Sequence, residues 1–265
     1  SGKAIDAAVQ VVEDHIDLDG LYKKVQDLSA AGKSWEHIPV ETESENAVEV
    51  DERVTIGIIR DSAFQFYYPD NIHALESLGA RIVYISPLNE SNIPEIDAIY
   101  MGGGFPETHA PQLAQNSSFR NGLKHLSDGG LPIYAECGGL IFLGESITLE
   151  DKIFPMSGIF PIRFGLAKKP QGHGYTRVTV TQTNPFYKKG EVLKGHEFRY
   201  SSILSIDYTD DQMAFNMERG KGILDKKDGF FKNNTFGTYT HIHALGAPSW
   251  APSLVQKAIQ FKHSK

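Results

Sequence analysis

A single cysteine, Cys137, occurs among 265 residues, so no internal disulfide can form and one thiol fits a reducing compartment. No apolar run approaches the roughly 20 residues of a membrane-spanning helix, and the N-terminus lacks the apolar core of a signal peptide. Positive charge is scarce: 26 Lys and Arg stand against 33 Asp and Glu, a formal charge of −7, which disfavours a nucleic-acid face. No Gly-x-x-x-x-Gly-Lys-Ser/Thr loop is present, so nothing in the chain reads as an ATP cradle. There is no internal repeat or low-complexity tract. These absences predict a soluble cytoplasmic protein with no membrane or nucleic-acid partner. At 40% hydrophobic residues the chain has ample material for a buried core.

Within residues 4–32, Ile5, Val9, Val12, Ile16, Leu18, Leu21, Val25 and Leu28 recur at helical spacing, with a break expected between two helices at Asp17, Asp19 and Gly20. Residues 33–53 turn polar and acidic and read as a linker. A compact domain is expected over residues 54–265, preceded by a helical remnant and linker over 1–53. In it, strands are predicted at Val54–Ile59, Arg81–Ile85, Ile96–Met101 and Leu131–Ala135. Helices are predicted at Asp70–Leu78 and His109–Leu126. Strands alternating with helices predict an α/β fold with a mostly parallel sheet covered on both faces, its active site beyond the strands' carboxyl ends. The second half is more β-like, with strands at Arg177–Thr181, His196–Tyr200, Gly229–Phe231 and Phe236–Ile242, and a closing helix at Ser253–His263.

Cys137 ends the apolar run Ile133-Tyr134-Ala135-Glu136 and is followed by Gly138-Gly139. Small residues two before and two after a nucleophile suit a tight strand-to-helix elbow, which lifts the thiol clear of the sheet beside helix-start amides. A cysteine nucleophile needs a base; His241 and His243, late in the chain, are candidates, and alternation lets only one face the thiol. His241 is favoured, with a zinc site on the two histidines as the rival reading. Gly102-Gly103-Gly104 follows a strand, where Gly103 and Gly104, with Gly138, are candidate oxyanion donors. Within Gly195–Tyr200, Glu197 is a candidate to orient a histidine and Arg199 to meet a carboxylate.

Taken together, these blocks resemble the glutamine amidotransferase domain of the cobyrinic acid a,c-diamide synthase family. The matching segments are Ala63–Tyr68 with Asn71, Gly79-Ala80, Ser86-Pro87-Leu88, Gly102–Glu107, Tyr134–Gly139, Gly195–Ser201 and Thr238–His243. The resemblance implies a flavodoxin-like, class I type amidotransferase fold. It also implies attack of Cys137 on the glutamine side-chain amide, with His241 rather than His243 moving the proton. Where related amidotransferases carry a His-x-Glu pair, this chain has His243, so either a dyad suffices or another carboxylate such as Glu197 substitutes. The ammonia would serve amidation of a tetrapyrrole polycarboxylate, cobyrinic acid-, Ni-sirohydrochlorin- or sirohaem-like. Arg163, Tyr175, Arg199 and the Phe64–Tyr68 loop are candidate contacts to that acceptor or to a partner domain. The glutaminase step implies no cofactor. ATP and magnesium would belong to an N-terminal synthetase domain or a separate subunit, and the Ser1-Gly2 start favours an excised domain. A different cysteine amidohydrolase and a non-catalytic tetrapyrrole-binding domain are the alternative readings.

Overall fold

The computed structural model describes residues 2–30 and 53–265, which fall into two units. The first holds helices α1 (Gly2–His15) and α2 (Leu18–Ala30). The break between them falls at Ile16–Asp17, where the Asp17 carboxylate accepts from Gly20 N at 2.9 Å. Gly20, expected in the break, lies inside α2. Apart from Arg53, the acidic stretch expected as a linker lies outside the described residues.

In the second unit the parallel strands are β1 (Thr55–Ile59), β2 (Arg81–Ile85), β3 (Ala98–Met101) and β4 (Ile133–Glu136). Between them run α3 (Pro69–Ser77), α4 (Ala110–Gln115) and α5 (Ser117–Asp128), and α6 (Gly138–Leu143) leaves β4 directly. The single helix expected over His109–Leu126 is broken at Asn116. That side chain caps α5 by accepting from Phe119 N, while its amide donates to Pro87 O and Glu90 O.

The remaining strands are β5 (Ser146–Leu149), β6 (Lys152–Pro155), β7 (Ile162–Leu166), β8 (Gly172–Val180), β9 (Val192–Arg199), β10 (Ser201–Ile206), β11 (Met213–Arg219), β12 (Lys227–Lys232), β13 (Thr235–Thr238) and β14 (His241–Ile242); α7 (Trp250–Ser264) closes the chain. Among the described residues the larger sheet has ten strands in the order β14-β9-β8-β11-β12-β13-β4-β3-β1-β2. From β13 to β2 every pairing is parallel; from β14 to β13 every pairing is antiparallel. Strands β10-β7-β5-β6 form a smaller sheet.

Strand alternation explains why both faces of the parallel half are buried. On β4, Ile133 and Ala135 pack with Leu123, Leu140 and Phe142 of α5 and α6, whereas Tyr134 packs with Trp250 and Leu254 of α7.

The stretch expected as one strand, Phe236–Ile242, is two, with the break at Tyr239–Thr240. Its cause is Asp228, fully buried on β12. One carboxylate oxygen accepts from Gly229 N and Tyr239 N, both at 2.9 Å; the other accepts from Thr238 Oγ1, Thr240 Oγ1 and Thr240 N at 2.8–3.0 Å. The four donors on Thr238, Tyr239 and Thr240 hold the chain where it leaves the parallel sheet and send His241 to the antiparallel edge. Asp228→Ala strands those donors, and we expect a loss of about 3 kcal/mol in urea unfolding. The same change at exposed Asp151 should cost under about 0.5 kcal/mol.

Candidate active site

Four segments meet beyond the carboxyl ends of β3, β4 and β13. Cys137 stands between β4 and α6 with φ 47° and ψ −95°, a backbone that a side-chain-bearing residue adopts only when its surroundings enforce it. They do so through hydrogen bonds from Cys137 N to Thr238 O at 2.8 Å and from Gly139 N to Gly102 O at 3.2 Å. This is the strand-to-helix elbow expected from the small neighbours: a Cβ on Gly139 would lie 2.8 Å from Met101 O. The thiol is 7% exposed, and Sγ lies 3.7 Å from Phe198 O.

His241 is buried opposite the elbow, close enough to Cys137 for the sulfur to act on its imidazole. Its Nδ1 lies 3.6 Å from Glu136 Oε2, an ion-pair separation, which leaves Nε2 for the thiol. Burial pulls the imidazole's pKa down, but the hydrogen bonds and charges of Cys137 and Glu136 outweigh that and raise it to about 10. Glu136 is 1% exposed; it also accepts from Ile242 N at 3.0 Å and from the Tyr100 hydroxyl at 3.3 Å. Asn71 holds the same segment from the other side, donating to Ile242 O and Tyr100 Oη and accepting from Ala244 N.

The glycine loop divides its duties. Gly103 N donates to Phe66 O at 3.2 Å, so this amide, expected as an oxyanion donor, is already engaged. What Gly103 supplies is space: a Cβ there would lie 2.5 Å from His241 Cε1. The amides of Gly104 and Gly138 have no hydrogen-bond partner among the described residues, and a Cβ on Gly138 would sit 2.8 Å from Gly104 N. Gly104 and Gly138, both with open amides, therefore lie side by side at the foot of the helix that begins after Cys137. Gly104 and Cys137 line a cleft there together with Phe105, Glu107, Phe198 and Tyr200.

Other expected residues lie apart from the thiol. His243 turns away, its ring tilted against Tyr68 at 4.6 Å and paired with Asp70 at 3.4 Å, so the two histidines do not share a ligand position. Among the described residues, no group of three or more His, Cys, Asp or Glu is arranged to hold a metal ion. Glu197 gives its carboxylate to Lys221 N and Gly222 N, on the face of β9 opposite His196; the carboxylate beside His241 is Glu136. Arg199 is buried over the Tyr239 ring and donates to Ser201 O and Gly222 O. Of the expected acceptor contacts, Phe64 is core and Arg163 pairs with Glu145 on the small sheet, while Phe66 and Tyr175 are exposed. Sequence reasoning passed over Glu136, although a carboxylate ending an otherwise apolar buried strand was the available signal.

A cysteine on a strand-to-helix elbow above a parallel sheet, with a histidine from a later strand, defines an α/β protein of the glutamine amidotransferase fold. Solved structures of that fold align accordingly. PurLQS from Thermotoga maritima gives a TM-score of 0.55 at 14% identity, covering 80% of this chain and 100% of that one. A glutamine amidotransferase from the same organism gives 0.51 at 14% identity, covering 80% and 86%. Residues 55–249 match the CobB/CobQ-like glutamine amidotransferase domain, and the chain belongs to that family. Among curated relatives, cobyrinate a,c-diamide synthase of Archaeoglobus fulgidus is 36% identical over 260 residues, spanning 97% of this chain and 54% of the relative. That of Methanosphaera stadtmanae is 36% identical over 253 residues, spanning 96% and 54%. The chain thus spans about half the length of the curated relatives it matches.

Because His241 Cε1 occupies the space above Gly103, Gly103→Ala should push the ring away from the thiol. We expect alkylation of Cys137 by iodoacetamide at neutral pH to slow about tenfold or more with little change in melting temperature, read by intact mass.

Proposed function

We propose that this chain is a glutaminase domain that releases ammonia from glutamine for ATP-dependent amidation of tetrapyrrole acetate side chains. The observation that carries the reading is Cys137 on its enforced elbow, with buried His241 beside it and Glu136 at ion-pair distance supporting the imidazole's positive charge. The names of the relatives support the acceptor class. Their doubled length supports a separate synthetase portion that would bring the ATP and magnesium for which this sequence has no P-loop.

In the proposed reaction the Cys137 sulfur attacks the carboxamide carbon of glutamine. The oxygen becomes an oxyanion within reach of the Gly104 and Gly138 amides, which need no reorganisation to meet it. His241 gives its proton to the departing nitrogen, and ammonia leaves a glutamyl thioester. The neutral imidazole then takes a proton from water, which attacks the thioester and frees glutamate and the cysteine. Glu136 keeps the imidazole oriented and favours its charged form, as the third member of such a constellation does. Glu197 is not needed in that part.

Three outcomes test this. A glutamine-mimicking diazoketone should add once, on Cys137, and glutamine should compete; Cys137→Ser should take up none. An iodoacetamide-reactive thiol that ignores the diazoketone would exclude a glutamine site in this chain. Glu136→Gln keeps the shape and removes the charge, and should lower kcat/KM for glutamine about 100-fold. In wild type the His241 proton must be present to release ammonia. With its pKa raised to about 10, kcat/KM should hold through neutral pH and fall as pH rises through that value.

A further inference from the structure

His196 takes no part in the chemistry above, yet it is bound to the histidine that does. It is the cross-strand partner of His241, β9 against β14, and the two rings stack with centroids 4.7 Å apart and planes 14° apart. On its other side, a 3.1 Å hydrogen bond joins His196 Nδ1 to the Tyr68 hydroxyl. Tyr68 is fixed in turn at the start of α3, with its ring against His243. We propose that His196 is a positioning residue: held by Tyr68, its ring sets the plane of the His241 imidazole and keeps Nε2 aimed at Cys137. The inference rests on the reading of Cys137 and His241 as the reacting pair.

The strand that carries His241 needs such a support. β14 is two residues long and, among the described residues, is paired only with β9. Glu136 and Asn71 fix its backbone, but Glu136 stands at ion-pair distance from the ring and does not define its tilt. A flat, uncharged ring lying face to face does, and the face of such a ring also suits a neighbouring imidazolium. His196 stays uncharged because burial, and then the charge on His241, push its pKa down to about 4. The titratable groups around it are His241 and Tyr68, with Tyr175 opposite on β8. Cys137 and Glu136 lie beyond His241, and His243 and Asp70 beyond Tyr68.

The test is the pH profile, from 6 to 9, of Cys137 alkylation by iodoacetamide in the full chain, read by intact mass. At the acid end a thiol reacts fast only when a neighbouring imidazolium supports its thiolate; at the alkaline end it reacts without help. We expect His196→Ala to slow the reaction at pH 6 about tenfold, the effect of one pKa unit, while leaving pH 9 nearly unchanged. His196→Phe, which keeps a flat ring, should recover most of the loss, and Tyr68→Phe should fall between. A merely structural role would lower the melting temperature of both His196 variants and leave the shape of the profile alone. A wild-type profile in His196→Ala, or an equal acid-side loss in His196→Phe, would overturn the proposal. His241→Ala separates the two ideas. If it keeps the wild-type profile, the reacting pair itself is wrong and His196 falls with it. If it loses acid-side reactivity while His196→Ala does not, only the role of His196 is wrong.

Discussion

The site depends on backbones approaching one another with no side chain between them. The Gly102–Gly104 loop lies under the ring of His241 on one side and against the first turn of α6 on the other, at separations that a single Cβ would close to 2.5 and 2.8 Å. That proximity lets Gly102 O accept from Gly139 N, which fixes the start of α6 and with it the Cys137 backbone at positive φ. Such a conformation costs on the order of 1–2 kcal/mol for a residue with a side chain, so it persists only where neighbours over-determine it. Here Thr238 O, at the end of β13, and Gly102 O, after β3, do so. The elbow therefore needs the assembled sheet edge as well as the small residues on either side of Cys137.

Two buried carboxylates lie close by in the sequence's third dimension, and they are used differently. Asp228 is surrounded by five neutral donors, which saturate it; its charge serves to bend the chain between β13 and β14. Glu136 has only two neutral donors, Ile242 N and the Tyr100 hydroxyl, and one oxygen faces His241 Nδ1. A buried carboxylate that is incompletely hydrogen-bonded needs a cation, and the imidazolium is the one within reach. The pull outweighs the burial of the imidazole, which taken alone would favour the neutral ring. One carboxylate is structural because it is saturated; the other is available to the chemistry because it is not.

How much of this was legible beforehand follows from the range of the interactions. The parallel half was readable because each strand is a local apolar run and each helix start or stop has a local residue behind it, as Gly79 at the end of α3 shows with φ 84°. The elbow was readable because its steric demands fall within five residues. The choice between His241 and His243 was only half readable: alternation says that one of them faces the thiol, and the preference for His241 was strengthened by the resemblance. Glu197 drew attention as a carboxylate near a histidine in sequence, but a strand sends neighbours to opposite faces, and it is spent on the Lys221 and Gly222 amides. Glu136 was marked locally only as a carboxylate at the end of an apolar strand; its partner lies 105 residues away, and the part of Asp228 depends on a hairpin between β12 and β13. The break at Asn116 was missed for the same reason, since its side chain answers to carbonyls of Pro87 and Glu90.

The two halves of the large sheet supply different components. Nucleophile, glycine loop and carboxylate all sit on the parallel half, where strands are buried on both faces and their ends are held by neighbours on either side. The histidine hangs from the far end of the antiparallel half, at the tenth position in strand order, and curls back only because Asp228 turns the chain and β9 receives it. Displacement of β9 would thus move the base relative to the thiol while leaving the elbow intact. β9 also carries Phe198, whose ring is 40% exposed and whose carbonyl meets the Cys137 sulfur, with Tyr200 beside it at 37%. The strand that receives the His241 segment therefore also forms a wall of the cleft beside Cys137, so the proposed reacting pair and the cleft share one support.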